Sequence, residues 1–243
     1  MEQYIDGPEL SVEAFSFAGR HVVVAVTEKF VSGFAEVGHV LPARLPAAEQ
    51  EAVRRSVARF LTAVGLRDGV SHTELRIGPD GPVVIESHNR IAGGAIPELV
   101  RGAYGIDLST YALGWPFRLV PELWKAPRPV QAASTRFLVA EPGRVEAVEG
   151  VGHARSLPDV LDLRMTARPG DTVRELHDNW DRLGLVAVTG PTPEDAIRRG
   201  AEISRDEIRV SVTNADGTPG RARVAIVEPD LVARHADAAE VRA

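Results

Sequence analysis

Residues Gly69–Gly94 read GVSHTELRIGPDGPVVIESHNRIAGG, and the pattern in this stretch decides the fold. Thr73, Leu75 and Ile77 alternate with His72, Glu74 and Arg76, which is the period of a strand with two chemically different faces. The cluster Gly78-Pro79-Asp80-Gly81-Pro82 then breaks the run before Val83-Val84-Ile85-Glu86, and this predicts an antiparallel hairpin. Pairing Ile77 with Val83 sets Glu74 opposite Glu86 and His72 opposite His88, all on one face.

Directly opposed carboxylates lie about 5 Å apart and repel by roughly 3 kcal/mol at an effective dielectric near 20. A cation between them removes that penalty, and magnesium takes carboxylate oxygens together with substrate phosphates and water. Glu74, Glu86 and His88 are therefore candidate metal residues, and Arg90 shares their face if the strand continues. The Ala92-Gly93-Gly94 run lets backbone approach a ligand closely. A solvated hairpin face with ordinary surface charges accounts for the same alternation.

The rest of the chain sets the limits. Its 243 residues, 44% of them hydrophobic, suffice for one or two domains with a proper core. The net charge of −6, with no cluster of basic residues, argues against a nucleic-acid partner. Cysteine is absent, which excludes a disulfide framework, a thiol nucleophile and zinc-finger spacing. Glu2 and Asp6 stand where a signal peptide needs positive charge, and no run approaches the roughly 18 apolar residues of a membrane span. A cytoplasmic protein without a membrane partner is expected. Lys29 and Lys125 are the only lysines, so Lys29 stands out.

In chain order, Met1–Glu9 opens into a turn. Leu10–Phe17 and His21–Thr27 read as a second hairpin about Gly19, and Gly33–Pro42 reads as a surface loop. Pro46–Val64 has Val53, Val57, Phe60, Leu61 and Val64 at helical spacing, with Gly65 as C-cap. Its partner would be the sheet of the two hairpins, giving helix packed on antiparallel sheet in an α+β fold. A shorter helix follows from Ile96 to Tyr104, closed by Gly105, and its N-terminus suits an anion. Pro121–Pro129 reads as a linker. Beyond it, Ser134–Ala140 and Arg144–Glu149 read as a hairpin, Leu161–Thr166 as a strand, Thr192–Asp195 as a helix start and Glu207–Val212 as a closing strand. His153, His177 and Asp178 lack a recurring spacing and read as solvated polar positions.

An ordered series resembles the C-terminal half of ATP-grasp carboxylate-amine ligases, of the L-amino-acid ligase and carnosine-synthase-like kind. The series is Glu2-Gln3-Tyr4-Ile5 with Gly7 and Glu9, Ser11-Val12-Glu13, Lys29, Glu36-x-Gly38-His39, His72-Thr73-Glu74, Glu86-x-His88-x-Arg90, Ala92-Gly93-Gly94 and Gly105-Ile106-Asp107. The resemblance implies an ATP-grasp C-terminal lobe over residues 1–116, a linker over 117–130 and a small α+β ligase domain over 131–212. A flexible tail is expected over 213–243. It implies ATP and magnesium, or manganese, as cofactors. Glu2, Gln3 and Ile5 would hold adenine, Glu9 the ribose and Lys29 the phosphates. Glu74 and Glu86 would hold the metal, Arg90 would stabilise charge on an acyl-phosphate or tetrahedral intermediate, and Glu36 and His39 would lie near the amino-acid substrate.

The series departs from the family at His88, where an asparagine is usual and where imidazole suits a hard cation less well. The family's N-terminal part would precede Glu2, so a partner chain carrying it, or self-association into a homo-oligomer, is expected. Two other readings stay open at this point: a non-catalytic binding or regulatory protein on the same fold, and a metal-dependent phosphohydrolase using Glu74 and Glu86.

Overall fold

The computed structural model describes residues 3–214 and 216–224. Glu2, expected at the adenine, and residues 225–243 of the expected tail lie outside the described residues.

The first half is a meander of antiparallel strands with helices on both faces. Strands β1 (Glu9–Phe17), β2 (Arg20–Ser32) and β3 (Ala35–Leu41) precede helix α1 (Ala47–Ala63). Then come β4 (Gly69–Gly78), β5 (Gly81–His88), α2 (Ile96–Tyr104) and α3 (Leu108–Gly114). The strand order on this side is β5-β4-β1-β2-β3. Helix α1 buries Val53, Val57 and Leu61 against Leu10, Val12, Ala14, Val23 and Val26 on one face. Each of these valines and leucines contributes roughly 1.5–3 kcal/mol when fully buried. The opposite face packs Phe15, Phe17 and Val22 against Leu99, Val100, Ala103 and Trp115 of the α2–α3 side. Gly65 (φ 73°) and Gly105 (φ 68°) take the left-handed geometry that stops α1 and α2.

The second half holds β6 (Ala132–Ala140), β7 (Gly143–Glu149), α4 (Val151–Arg155), β8 (Val160–Met165), β9 (Thr172–Val173), β10 (Gly184–Gly190), α5 (Pro193–Glu202), β11 (Arg209–Thr213) and β12 (Pro219–Val224). Strand β6 pairs with β3 through Gly38 opposite Arg136 and His39 opposite Thr135, so both halves share one sheet. Thr192 caps α5 by accepting from Asp195 N at 3.1 Å.

Several elements differ from the sequence reading. Gly33–Pro42 is not a surface loop but contains β3, which is buried between β2 and β6. Strands β6 and β7 do not form a hairpin; β7 pairs with β11 and β9 instead. The proline-rich passage has no helix or strand between 118 and 131, yet it does not hang free. Arg20 donates to Leu123 O at 2.6 Å, and Val130 N donates to Ala103 O at 2.8 Å. Strand β12 falls where a tail was expected and pairs with β6 and β11.

Candidate functional site

Three one-residue register shifts decide which side chains meet on the α2-side face of the sheet. The first lies between Glu13 and Ala14, where β2 accommodates Val24 as an extra residue. It reverses the alternation of β2, so that Ala25, Thr27 and Lys29 follow Val22 onto this face. The second lies between Phe30 and Val31, opposite Val37, and it puts Glu36 and His39 on one face although they are three positions apart. The third lies between Glu74 and Leu75. Here Ile77 pairs with Pro82 rather than Val83, across a two-residue turn at Pro79-Asp80, and the extra residue Ile85 restores Glu74 opposite Glu86 and His72 opposite His88. The expected pairing of the charged residues is therefore present, by a route that alternation does not contain.

The result is a radial ion network. Lys29 is almost wholly buried, with its side chain 3% exposed, and its Nζ meets Glu9 at 2.7 Å, Glu36 at 2.9 Å and Glu74 at 2.8 Å. Each carboxylate has a second cation behind it. Arg76 bonds Glu9 at 2.7 Å, Arg182 lies 3.4 Å from Glu36, and His72 Nε2 lies 3.1 Å from Glu74. His72 Nδ1 also bonds the fully buried Glu13 at 2.7 Å. Four carboxylates face four cations, which is how buried charge becomes tolerable.

The titration behaviour follows from these contacts. Burial opposes the charged form of Lys29, but Glu36, Glu74 and Glu9 outweigh it and raise the pKa well above the ordinary lysine value. Burial pulls His72 down, and its bonds to Glu13 and Glu74 overcome this, pushing it up to about 9. Burial raises Glu74, and His72 and Lys29 reverse the effect, bringing it down to about 2. Glu36 is held well below the usual carboxylate range against its burial by His39 and Lys29.

A pH dependence of stability follows. The stabilisation from His72 is complete below its ordinary value of 6.5 and is lost as pH rises through about 9. That from Glu74 is complete above 4.5 and is lost as pH falls through about 2. Urea unfolding midpoints should decline from pH 6.5 toward 9 in the native chain, and this decline should be blunted in His72→Gln. The same slope in both proteins would show that His72 is not the titrating group.

The remaining predicted residues are placed as follows. Gln3 is exposed, and Ile5 O accepts from Arg76 at 3.3 Å, so the segment before β1 is strapped across the end of β4. Gly7, at φ 146°, makes this crossing with its Cα against Ile77 O; a Cβ there would lie 2.0 Å from that oxygen. His39 is 1% exposed, and neither ring nitrogen has a hydrogen-bond partner; its Nε2 lies 3.7 Å from Glu36. Gly94 (φ 61°) brings its backbone against His39, and a Cβ would lie 2.7 Å from the ring. Strand β5 ends at His88, so Arg90 does not continue its face as the sequence reading required. Arg90 is exposed and donates to Ile91 O, and among the described residues no carboxylate pairs with it.

Among the described residues no group of three His, Asp or Glu side chains stands ready to hold a metal. Glu74 and Glu86, directly opposed, suit a hard divalent cation by chemistry, with Glu74 occupied here by Lys29 and His72. His88 Nε2 is hydrogen-bonded to Glu86 Oε1, and an imidazole matches a hard cation less well than an oxygen donor. Sequence reasoning gave no role to His72, Glu13, Arg76, Asn179 or Arg182. The signal for His72 and Arg76 was their position on the predicted hairpin face, and Glu13 stood only in the ordered series; the last two lie more than a hundred residues away.

An ATP-grasp domain family matches residues 1–98, and the L-amino acid ligase C-terminal domain 2 matches residues 136–213. Residues 1–98 thus belong to the ATP-grasp domain family and residues 136–213 to that of the L-amino acid ligase C-terminal domain 2. The chain is similar to the uncharacterized protein y4rH of Sinorhizobium fredii, at 31% identity over 214 residues, covering 83% of this chain and 42% of that one. It is also similar to carnosine synthase 1 of Gallus gallus, at 34% identity, covering 58% of this chain and 16% of that one. Among solved structures, an L-amino acid ligase from Bacillus licheniformis matches with a TM-score of 0.77 at 26% identity, covering 88% of this chain and 54% of that one. A phosphoribosylglycinamide synthetase from Anaerococcus prevotii, at 17% identity and a TM-score of 0.70, shares the fold over 86% of this chain and 54% of its own. The chain thus spans less than half the length of these curated relatives. No helix among the described residues is long and apolar enough to cross a membrane.

Proposed function

We propose that this ATP-grasp chain contributes the metal- and phosphate-facing wall of a cytoplasmic, ATP-dependent ligase that joins a carboxylate to an amino acid through an acyl phosphate. The observation that carries the reading is the opposition of Glu74 and Glu86, recovered by a bulge, beside a cation network on an ATP-grasp lobe. Such a pairing weakens the strands that bear it unless a cation is held there. Magnesium, or manganese, bound with nucleotide at Glu74 and Glu86 supplies charge neutralisation for phosphoryl transfer. In this reading His88 orients Glu86, and Lys29 turns from its carboxylates toward phosphate. The segment Gln3–Ile5 lines adenine and Glu9 takes the ribose. Arg90, exposed and without a carboxylate partner among the described residues, meets the charge that develops on the transferred group. Glu36 and His39 face the amino acid. The relatives' remaining length, whether on the same polypeptide or on a partner chain, is expected to supply the opposing wall.

A second reading, a nucleotide-binding protein without catalysis, draws on the saturation of Lys29 by three carboxylates, which leaves it no free valence for phosphate. The two separate on product: amino-acid-dependent ADP release belongs only to the ligase. The metal assignment is tested by Glu86→Gln. Calorimetric titration should show magnesium–nucleotide affinity at least about tenfold weaker, with the metal-free variant as stable as the parent or more so. Unchanged affinity would refute the assignment.

A further inference from the structure

Of the three outer cations around Lys29, Arg76 and His72 come from β4, but Arg182 comes from the second half, 146 residues from Glu36 in sequence. It does not act alone. Asn179, on the same turn, accepts from the backbone N–H of Glu36 at 2.8 Å, beside the bulge at Val37. Its Nδ2 and Arg182 Nη1 lie 3.5 and 3.4 Å from Glu36 Oε2, and the same Nη1 lies 3.5 Å from Glu36 O. Lys29 holds Oε1, so the two oxygens of Glu36 are divided between the two halves of the chain.

The turn is built to present these groups. Asp178 accepts from Trp180 N at 2.7 Å, Asp181 accepts from His177 N at 3.0 Å, and Arg182 Nε donates to Asn179 O at 2.8 Å. Arg174 closes the turn on Asp181 at 2.8 Å. The guanidinium of Arg182 stacks 3.8 Å from the centroid of Phe137, and the Phe137 ring stands edge-on to His39 at 5.4 Å. One arginine therefore touches Glu36 by charge and backs His39 through an aromatic ring. The planar fork is what makes both contacts available together.

We propose that Arg182 and Asn179 are positioning residues that fix Glu36 and His39, so that the second half of the chain sets the amino-acid end of the site. The proposal rests on the ligase reading for what Glu36 and His39 face, but the clamp itself can be measured without it.

The test uses the full chain and the variants Arg182→Gln, Arg182→Lys and Asn179→Ala. Asn179 is exposed, so its variant retains the core. Hydrogen exchange resolved at the Glu36 amide should be at least about tenfold faster in Asn179→Ala, with exchange of the α1 amides unchanged. In the ligase assay, run with the opposing wall supplied, Arg182→Gln should raise the amino-acid KM at least about tenfold while the ATP KM stays within about twofold. Arg182→Lys should recover only part of that loss, because an ammonium cannot stack on Phe137 while reaching Glu36. Unchanged exchange at Glu36 overturns the clamp. Faster exchange with an unchanged amino-acid KM in Arg182→Gln overturns the positioning role. If no amide forms with any amino acid when the polypeptide supplying the opposing wall is present, the ligase reading falls; the exchange experiment then decides the clamp by itself.

Discussion

Lys29→Met should lower the unfolding free energy by about 3–5 kcal/mol at neutral pH, because it removes the central cation from three carboxylates packed around it. The side chain of Lys29 is 3% exposed, while those of Glu9, Glu74 and Glu36 are 12%, 18% and 21% exposed, so water cannot replace it fully. Arg76, His72 and Arg182 would remain, each on the outer side of one carboxylate, and would limit the loss to this range. The variant has a signature in pH. Without Lys29 the clustered carboxylates bind protons more readily in the folded than in the unfolded chain, which makes the variant's deficit largest at neutral pH and smaller as pH falls toward about 4.5. Urea unfolding of both proteins at pH 5 and pH 8 measures it. A deficit below about 1 kcal/mol, equal at both pH values, would mean that the network does not hold the sheet together.

Arg90→Lys should lower turnover on the order of a hundredfold in the ligase assay, with nucleotide affinity within about threefold of the parent. The reason is that Arg90 stands outside the ion network, exposed and bonded only to the neighbouring Ile91 carbonyl among its described contacts. Its charge is available for an anion formed during transfer, and a point charge cannot reproduce two parallel N–H donors. Steady-state kinetics together with calorimetric nucleotide binding separate the two effects. Equal losses in turnover and affinity would make Arg90 a ground-state contact instead.

Much of the architecture can be read locally. The alternation of Val70–Ile77 and the turn residues around Asp80 give a hairpin, and the spacing of Val53, Val57 and Leu61 gives α1, because strand and helix periods are short-range properties of the chain. Strand β3 was hidden by Gly33 and Gly38, which mimic loop composition. Gly38 is small because the neighbouring strand crowds it: a Cβ there would lie 2.8 Å from Thr135 O and 3.0 Å from the Phe30 and Arg136 side chains. Strand β7 was assigned to β6 since sequence neighbours usually pair, whereas β11 supplies the partner.

The site divides in the same way. The sequence by itself determined which charged residues exist and, through the ordered series from Glu9 to Arg90, which of them resemble an ATP-grasp wall. Strict alternation would have turned Lys29 toward α1 and separated Glu36 from His39. The tertiary structure decided otherwise, because a bulge is placed by the register of two strands at once and leaves no mark in either sequence alone. Only the folded chain brings Arg182 to Glu36 from 146 residues away, since an ion pair between distant segments depends on the packing of the sheet that carries them.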